Sequence, residues 1–498
     1  MFITDLRSLK DQFKEIETPI FGAGVYAFDR LGLEDVADPY RILALRYSLD
    51  TEIIEKDIEM VSLEKGMGVK HIDRPRNATT VLGHQDTKKY LEKFKKPAIF
   101  VYKPSSKMEQ MAKENNWTLI ANSVNFGKKT FENKIEFRKI LEQINVPATP
   151  GKTITVDDIN YDELVDQYGL PFVIQHPTKG GGKGTFFINQ KSDLDEAVDK
   201  IDSRWDDKDE RAIKPPEEVV ISKYIDGPSP SVTGCITKYG ILSTNLQHQV
   251  LDIPELYHPA KGSGLFCGHD WSASRFSEEI NRQANEYTRK VGEYFKEQGY
   301  KGIFGLDFVL DSKQGQLYLT ECNPRMVGAY PVLNMSQLLN DEPPLLAFHV
   351  LEFLNVDHEI DLDEINRQIR QEKTGAQMIL HNLTQKWARN HNELKAGVYR
   401  LEGERLRYLR PGYDLKHLKD KREFILADGV PLKGSHFSPN RRICRILTLD
   451  QVLDDTNYKQ LNPWAKKVAE TVYQNFKIKP VKFVKIKKFF KPDLLIRG

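Results

Sequence analysis

GLDFVLDSKQGQLYLTECNPR, residues 305–325, has the pattern of two apolar strands joined by a short polar turn. Such a pattern predicts a β-hairpin. Because side chains alternate along a strand, Glu321 and Asn323 point to one face, and a hairpin partner can bring Asp307 onto it. Two carboxylates and an amide oxygen are hard ligands of the kind that Mg²⁺ takes together with substrate phosphates. Arg325 can supply a fixed positive charge to the same phosphates. The alternative is a hairpin with only a structural role, but burying these acids without a bound partner would cost free energy.

A glycine-rich loop lies well upstream, between the apolar stretches 171–175 and 185–188. Its four glycines let backbone N–H groups approach a phosphate closely, and its two lysines add positive charge. The loop lacks the spacing of a Walker motif, and a strand rather than a helix follows it, which also excludes a dinucleotide-binding turn. Alone it would be a flexible turn, but together with the carboxylate hairpin it predicts a phosphate clamp. The candidate phosphate-binding residues are Gln175, Lys179, Gly181, Gly182, Lys183 and Gly184.

These two motifs, in this order, resemble the ATP-grasp superfamily, in particular its branch of biotin carboxylase and carbamoyl phosphate synthase. The resemblance covers about residues 120–345 and includes two further motifs. Residues 133–141, followed by 146–150, are similar to the family's opening helix and turn, in which the early lysine, here Lys134, contacts nucleotide phosphate. Residues 219–227 are similar to the hinge strand that holds the adenine.

The resemblance implies a complete set of site residues for ATP and for Mg²⁺ or Mn²⁺. The metal ligands would be Asp307, Glu321 and Asn323. The adenine would be held at Lys223, Tyr224 and Ile225. Arg325 and Lys183 would face the phosphoryl group in transit. The family's usual lysine in the strand before the glycine loop is replaced here by Gln175, so Lys179 or Lys183 would supply that charge from the loop.

A long polar loop between the hinge and the next helix, residues 245–271, has the composition of a functional loop. In relatives this region touches the substrate that is activated. The candidate substrate residues are therefore His258, Lys261 and His269, together with Arg325. A lone histidine is more often a hydrogen-bonded structural residue than a base, which is the alternative for both histidines.

Composition favours an ordinary enzyme without a membrane segment. The chain has 498 residues, of which 40% are hydrophobic and 29% charged, enough for about three domains with substantial cores. We find no run of about 18 apolar residues and no basic-then-apolar leader, so we expect a cytoplasmic protein without membrane contact. A net charge of +2 gives no reason to expect a nucleic-acid partner. The four cysteines are scattered without metal-ligand spacing and predict free thiols.

The predicted fold class is α/β and α+β, in three domains. They are a pre-ATP-grasp α/β domain (1–130), an ATP-grasp core (131–350) with a mobile lid (about 152–218), and a C-terminal α+β domain (351–498). Within the core, Ser277 predicts the N-cap of a long helix that stops at Gly299, and Ser192 predicts the start of a lid helix. In the first domain, residues 20–26 predict a strand that enters a glycine turn.

The chemistry implied by the resemblance is an ATP-dependent carboxylate–amine ligase that forms an amide or peptide bond through an acyl phosphate and releases ADP. The absence of a biotin-carrier Met-Lys-Met motif favours free small substrates, namely amino acids or peptides. For the assembly, a homodimer is an alternative to a monomer. Two alternatives remain at this stage, which are a carboxylase-type enzyme that activates bicarbonate and a nucleotide-binding protein without turnover.

Overall fold

The structure is a computed structural model that describes residues 2–38, 40–66, 77–127, 130–180, 182, 184–202, 205–206, 211–212, 214–258 and 264–481. Helices and strands alternate in the first third, and antiparallel strands dominate the rest. The helices span Leu6–Lys14, Thr51–Ile54, Leu63–Gly66, Ala78–Gly83, Gln85–Leu91, Ser106–Glu114, Lys134–Gln143, Tyr161–Tyr168, Lys191–Ile201, Glu278–Glu297, Val332–Leu339, Leu345–Leu354, Leu362–Ile369 and Pro463–Phe476.

The first part of the chain forms a five-stranded parallel sheet, here called the N-terminal sheet. Its strands, in spatial order, are Met60–Ser62, Tyr40–Ala44, Ile20–Gly24, Ala98–Val101 and Thr118–Ile120. The strand Ile20–Gly24 is central and fully buried, as expected for a parallel sheet covered on both faces. The predicted turn at Gly22 and Gly24 is wrong, because both glycines lie within this strand. In open parallel sheets, ligands bind beyond the carboxyl ends of the strands.

A second, antiparallel sheet carries the glycine loop and is called the lid sheet. Its strands, in spatial order, are Gly151–Thr155, Glu218–Lys223, Phe172–Gln175 and Thr185–Ile188. Its own small apolar core includes Leu164 from one flanking helix and Leu194 from the other. The expected helix start at Ser192 is wrong. The helix begins at Lys191 because Asp193 accepts a hydrogen bond from the Asn189 N–H and draws the chain into the first turn earlier.

The largest sheet, called the long sheet, has eleven strands. In spatial order they are Gln316–Asn323, Gly302–Asp311, Pro230–Thr237, Gln247–Leu251, Phe266–Asp270, Ala376–His381, Arg442–Thr448, Glu423–Ala427, Gly397–Glu402 and Arg405–Arg410, with Gly240–Ser243 beside Pro230–Thr237. The helix Glu278–Glu297 packs on it. Ser277 caps this helix, as predicted, by accepting a hydrogen bond from the Ile280 N–H.

The remaining strands form three small sheets. They are Phe2–Ile3 with Glu359–Ile360, Trp205–Asp206 with Arg211–Ala212, and Ala388–Asn390 between His436–Phe437 and Ile478–Pro480. All four cysteines are buried and free. Within the described residues, none of the helices has the length and apolar character needed to cross a bilayer.

Candidate active site

The carboxylate hairpin lies at the edge of the long sheet. Its strands pair antiparallel, with Asp307 directly opposite Glu321. The pairing shifts after Asp307, so Thr320 is an extra residue, and its hydroxyl donates to the Asp307 carbonyl at 2.9 Å. Such a β-bulge bends one strand and re-aims the neighbouring side chains. The structure thus brings the two carboxylates onto one face, as the sequence predicts.

Asp307 is held by two amide donors. Asn323 Nδ2 donates to Asp307 Oδ2 at 2.9 Å, and Gln249 Nε2 donates to Asp307 Oδ1 at 3.2 Å. Burial, together with the negative charge of Glu321, raises the pKa of Asp307 to about 7. Two acids forced together in this way store unfavourable energy that a cation would relieve. Sequence reasoning placed Gln249 in the polar loop without assigning it a role.

Lys134 joins the hairpin to the glycine loop. Its side chain is only 3% exposed, and its Nζ lies 3.2 Å from Glu321 Oε2. The same Nζ donates to the Lys179 carbonyl at 3.0 Å. The loop lies directly on the acid, since a Cβ at Gly180 would stand 3.5 Å from Glu321 Oε1. One buried lysine therefore contacts both predicted motifs.

Two loop positions accept only glycine. A Cβ at Gly184 would lie 2.5 Å from the Lys179 Cβ, and Gly182 has a φ of +74°. Gln175, at the end of the preceding strand, donates to the Thr185 hydroxyl across the pair at 3.4 Å. The predicted phosphate residues Gly181 and Lys183 lie outside the described residues.

Arg325 lies beside the hairpin in a web of polar contacts. Its guanidinium donates to Asn323 Oδ1 at 2.7 Å, to Glu132 Oε1 at 3.1 Å and to the Tyr102 hydroxyl at 2.9 Å. Lys103 forms a 2.6 Å ion pair with the same glutamate. Sequence reasoning missed Tyr102, Lys103 and Glu132. No local pattern marks them, because they reach the site from a distant part of the chain.

The predicted adenine hinge follows the strand Glu218–Lys223. The Lys223 N–H donates to the Pro150 carbonyl at 2.8 Å. The Tyr224 ring meets Phe187 edge-on at 5.6 Å, and Ile225 is half-buried. These residues lie at and just beyond the end of a lid-sheet strand.

The two predicted substrate histidines of the polar loop have different surroundings. His258 is exposed, and Lys261 lies outside the described residues. His269 is buried in the strand Phe266–Asp270, where its Nδ1 lies 3.1 Å from Gln377 Nε2. Burial, aided by Arg445, lowers the pKa of His269 to about 3, so its ring is neutral.

The hairpin fits a magnesium ion that is shared with phosphates. Among the described residues, no three His, Cys, Asp or Glu side chains form a metal-binding group. Mg²⁺ does not need one, because it is usually held by one or two carboxylates and completes its shell with phosphate oxygens and water. Asp307 and Glu321 supply those carboxylates, and Asn323 adds an amide within the same hydrogen-bonded group.

Comparisons with known proteins match the part of the chain that carries this site. Residues 131–329 match the family model of the ATP-grasp domain. This chain contains an ATP-grasp domain. It is 27% identical over 194 residues to a formate-dependent phosphoribosylglycinamide formyltransferase of Prochlorococcus marinus, a match that covers 39% of this chain and 44% of the relative. It is 23% identical over 199 residues to a D-alanine–D-alanine ligase of Carboxydothermus hydrogenoformans, covering 38% and 57%. The chain thus spans about half the length of these curated relatives.

The fold likeness extends over nearly the whole ATP-grasp-containing chain. A biotin carboxylase structure from Campylobacter jejuni superimposes with a TM-score of 0.57 at 12% identity, covering 93% of this chain and 92% of that one. The predicted α/β multidomain class is therefore confirmed. At this identity the likeness concerns the fold alone.

Proposed function

We propose that this protein is an ATP- and Mg²⁺-dependent carboxylate–amine ligase that forms an amide or peptide bond. The observation that carries the proposal is the facing pair Asp307 and Glu321, covered by Lys134 and the glycine loop, with Arg325 beside them. A site of this kind neutralises a polyphosphate from several sides at once. Its substrates would be free amino acids or small peptides.

The reaction has two steps. A carboxylate oxygen of the first substrate attacks the γ-phosphorus of ATP, and the bond between that phosphorus and the β–γ bridging oxygen breaks, which releases ADP. The amine nitrogen of the second substrate then attacks the carbonyl carbon of the acyl phosphate. The carbon–oxygen bond breaks, phosphate leaves with its electron pair, and the nitrogen loses a proton.

Each group of the site has a role in positioning and charge neutralisation. Lys134 and the loop N–H groups would hold the terminal phosphates, while Arg325 would stabilise the charge on the phosphoryl group in transit. Bound Mg²⁺ would supply additional neutralisation of the phosphate charge. The Lys223 carbonyl and the Tyr224 ring would hold the base. The glycine loop, which lies on Glu321, would exclude water and so protect the acyl phosphate from hydrolysis.

The surroundings suit a mechanism without a protein nucleophile. Cys322, between the proposed metal ligands, points into the core, and burial raises the pKa of its thiol well above the ordinary value. His269 is neutral and buried. Neither group is poised to attack a substrate, which agrees with direct transfer of the phosphoryl group between bound substrates.

The test is a substrate screen with purified protein, ATP and Mg²⁺. ADP release would be followed with pools of amino acids, and products would be sought by mass as the sum of two substrates minus water. Turnover only with bicarbonate would favour the carboxylase-type alternative. Tight ATP binding without ADP release under any of these conditions would favour a protein without turnover.

The first prediction concerns the metal ligands. We expect Asp307→Asn and Glu321→Gln each to lower kcat by at least about 100-fold, because each removes a charge that faces the polyphosphate. The matched control is Asp311→Asn, the same type of change at the last residue of the same strand, beside the turn of the hairpin, which should retain activity. Turnover at the wild-type rate in both site variants would rule out the metal assignment.

A further inference from the structure

A group of arginines lies where the N-terminal sheet meets the far strands of the long sheet. Two aspartates hold part of it. Asp428 Oδ2 accepts from Arg445 Nε at 2.9 Å and lies 2.9 Å from Arg442 Nη1, and Asp29 lies 3.4 Å from Arg442. We call this group the arginine cluster. It comprises Arg30, Arg46, Arg441, Arg442 and Arg445.

Among the described residues, Arg30 is the least satisfied member of the arginine cluster, with two buried nitrogens that lack a hydrogen-bond partner against one, Nε, in Arg46. The Arg30 side chain is 4% exposed, yet its Nε and Nη1 have no hydrogen-bond acceptor among the described residues. It lies against the carboxyl end of the strand Ile20–Gly24, since a Cβ at Gly24 would stand 2.8 Å from its Nε. A buried guanidinium without an acceptor is costly. The oxygens of an anionic ligand would satisfy such a group.

The charges in this region do not balance. Among the described residues, the five arginines of the cluster lie near three aspartates, Asp29, Asp50 and Asp428, which leaves two positive charges in excess. The third acid, Asp50, is already engaged by the N–H groups of Gly429 and Val430. Asp428 also keeps one buried oxygen without a donor among the described residues, so the group as a whole is incomplete.

The arginine cluster is adjacent to the proposed reaction centre. The guanidinium carbons of Arg30 and Arg325 lie 5.9 and 5.3 Å from the centre of the Tyr102 ring. On its other side, Arg445 contacts Gln377, which is bonded in turn to His269. The arginine cluster is not fully closed, because the Arg442 side chain is 26% exposed.

We propose that the arginine cluster binds an oxyanion, a carboxylate or a phosphate, carried by the amine substrate of the ligase. This inference rests on the proposed function. Bound there, the anion would accept hydrogen bonds from Arg30 and Arg442, and the amine would extend past Tyr102 toward the acyl phosphate at Arg325. The substrate class is therefore an anionic amine, such as an amino acid or a phosphorylated amine, rather than a simple alkylamine.

The first test is independent of turnover. Thermal unfolding is followed with increasing sodium acetate or sodium phosphate against sodium chloride of equal ionic strength, with MgADP present to fill the nucleotide site. We expect acetate or phosphate to raise the wild-type Tm beyond the chloride effect, and Arg30→Met to need at least about 10-fold more anion for the same rise. Without added anion, Arg30→Met should unfold at or above the wild-type Tm, because it removes an unsatisfied buried charge. Arg289→Met, on an exposed helix face, is the matched control.

The second test uses kinetics with an active amine substrate. Arg30→Met should raise KM for an anionic amine by about 10- to 100-fold, with KM for ATP within about 3-fold of wild type. Three sets of amines separate the two oxyanion sources. They are amines with a carboxylate, the same amines with that group amidated, and phosphorylated amines. Amidation should remove the difference between wild type and variant.

Equal anion protection in wild type and Arg30→Met would overturn the proposal, as would equal use of charged and amidated amines. If Arg30→Met fails to fold, Arg442→Gln, at the exposed edge, replaces it in both tests, with the same expected loss of anion protection and rise in KM. Its Tm without added anion should lie below that of wild type, because the substitution also breaks the ion pairs with Asp29 and Asp428. A complete lack of turnover with every amine would reject the proposed function but leave the anion-protection result to decide the subsite.

Discussion

At the scale of single residues, the site contains charged groups whose surroundings destabilise their ionised forms. Asp307 faces Glu321 and is held by amide donors, yet its pKa is raised to about 7 by burial and by the neighbouring charge. Arg30 is buried without acceptors for two of its nitrogens among the described residues. Such conflicts reduce stability and are typical of functional sites, where a ligand resolves them.

The second prediction follows from Asp307. A carboxyl group with a raised folded-state pKa contributes stability below the unfolded value of 3.8, and this contribution is lost as pH rises through about 7. In EDTA, the Tm of Asp307→Asn minus that of wild type should therefore grow between pH 4 and 7 and then level off. Asp311→Asn should show no such growth. Parallel curves for Asp307→Asn and wild type would show that this acid ionises normally in the folded protein.

At the scale of elements, local signals predicted most of the fold that positions the site. The carboxylate hairpin, the glycine-loop strands and the helix capped by Ser277 each depend on patterns within about twenty residues of chain, and the structure confirms them. The lid helix begins one residue before the predicted Ser192, where the Asp193 side chain accepts a hydrogen bond from the Asn189 N–H.

The features that the sequence could not predict depend on distant parts of the chain. The bulge at Thr320 depends on how one strand pairs with the other, and the contact between Arg325 and Glu132 joins positions 193 residues apart. The arginine cluster likewise combines residues from both ends of the chain. No periodicity or motif spacing reports such contacts, so the charge excess became visible only in the folded protein.

The third prediction concerns the link between the opening helix and the glycine loop. Lys134→Met removes both the contact with Glu321 and the bond to the Lys179 carbonyl. We expect faster amide hydrogen exchange in the glycine loop and a KM for ATP raised by about 10-fold, since a charged hydrogen bond is lost. Lys139→Met, on the same helix but 65% exposed, is the control. Unchanged exchange in the loop would show that Lys134 does not hold it.

At the scale of the whole molecule, the long sheet joins the ATP-grasp domain to the C-terminal part of the chain. The strand Phe266–Asp270 pairs with Ala376–His381, which lies beyond residue 350. Asp270 is buried and accepts hydrogen bonds from the Val452 and Leu453 N–H groups at 2.6 and 2.9 Å. The predicted domain boundary near residue 350 therefore falls within a continuous sheet.

The last prediction tests this continuity. A chain that ends at Asn355 would expose the backbone edge of the strand Phe266–Asp270 and strip the buried Asp270 of two donors, so we expect it to aggregate or to unfold without a cooperative transition. Co-expression of residues 356–498 should restore soluble protein, because the missing strands can pair from a separate chain. Far-UV circular dichroism and gel filtration provide the measurement. A soluble 1–355 fragment with a sharp thermal transition would show instead that the ATP-grasp domain folds without the strands that extend its sheet.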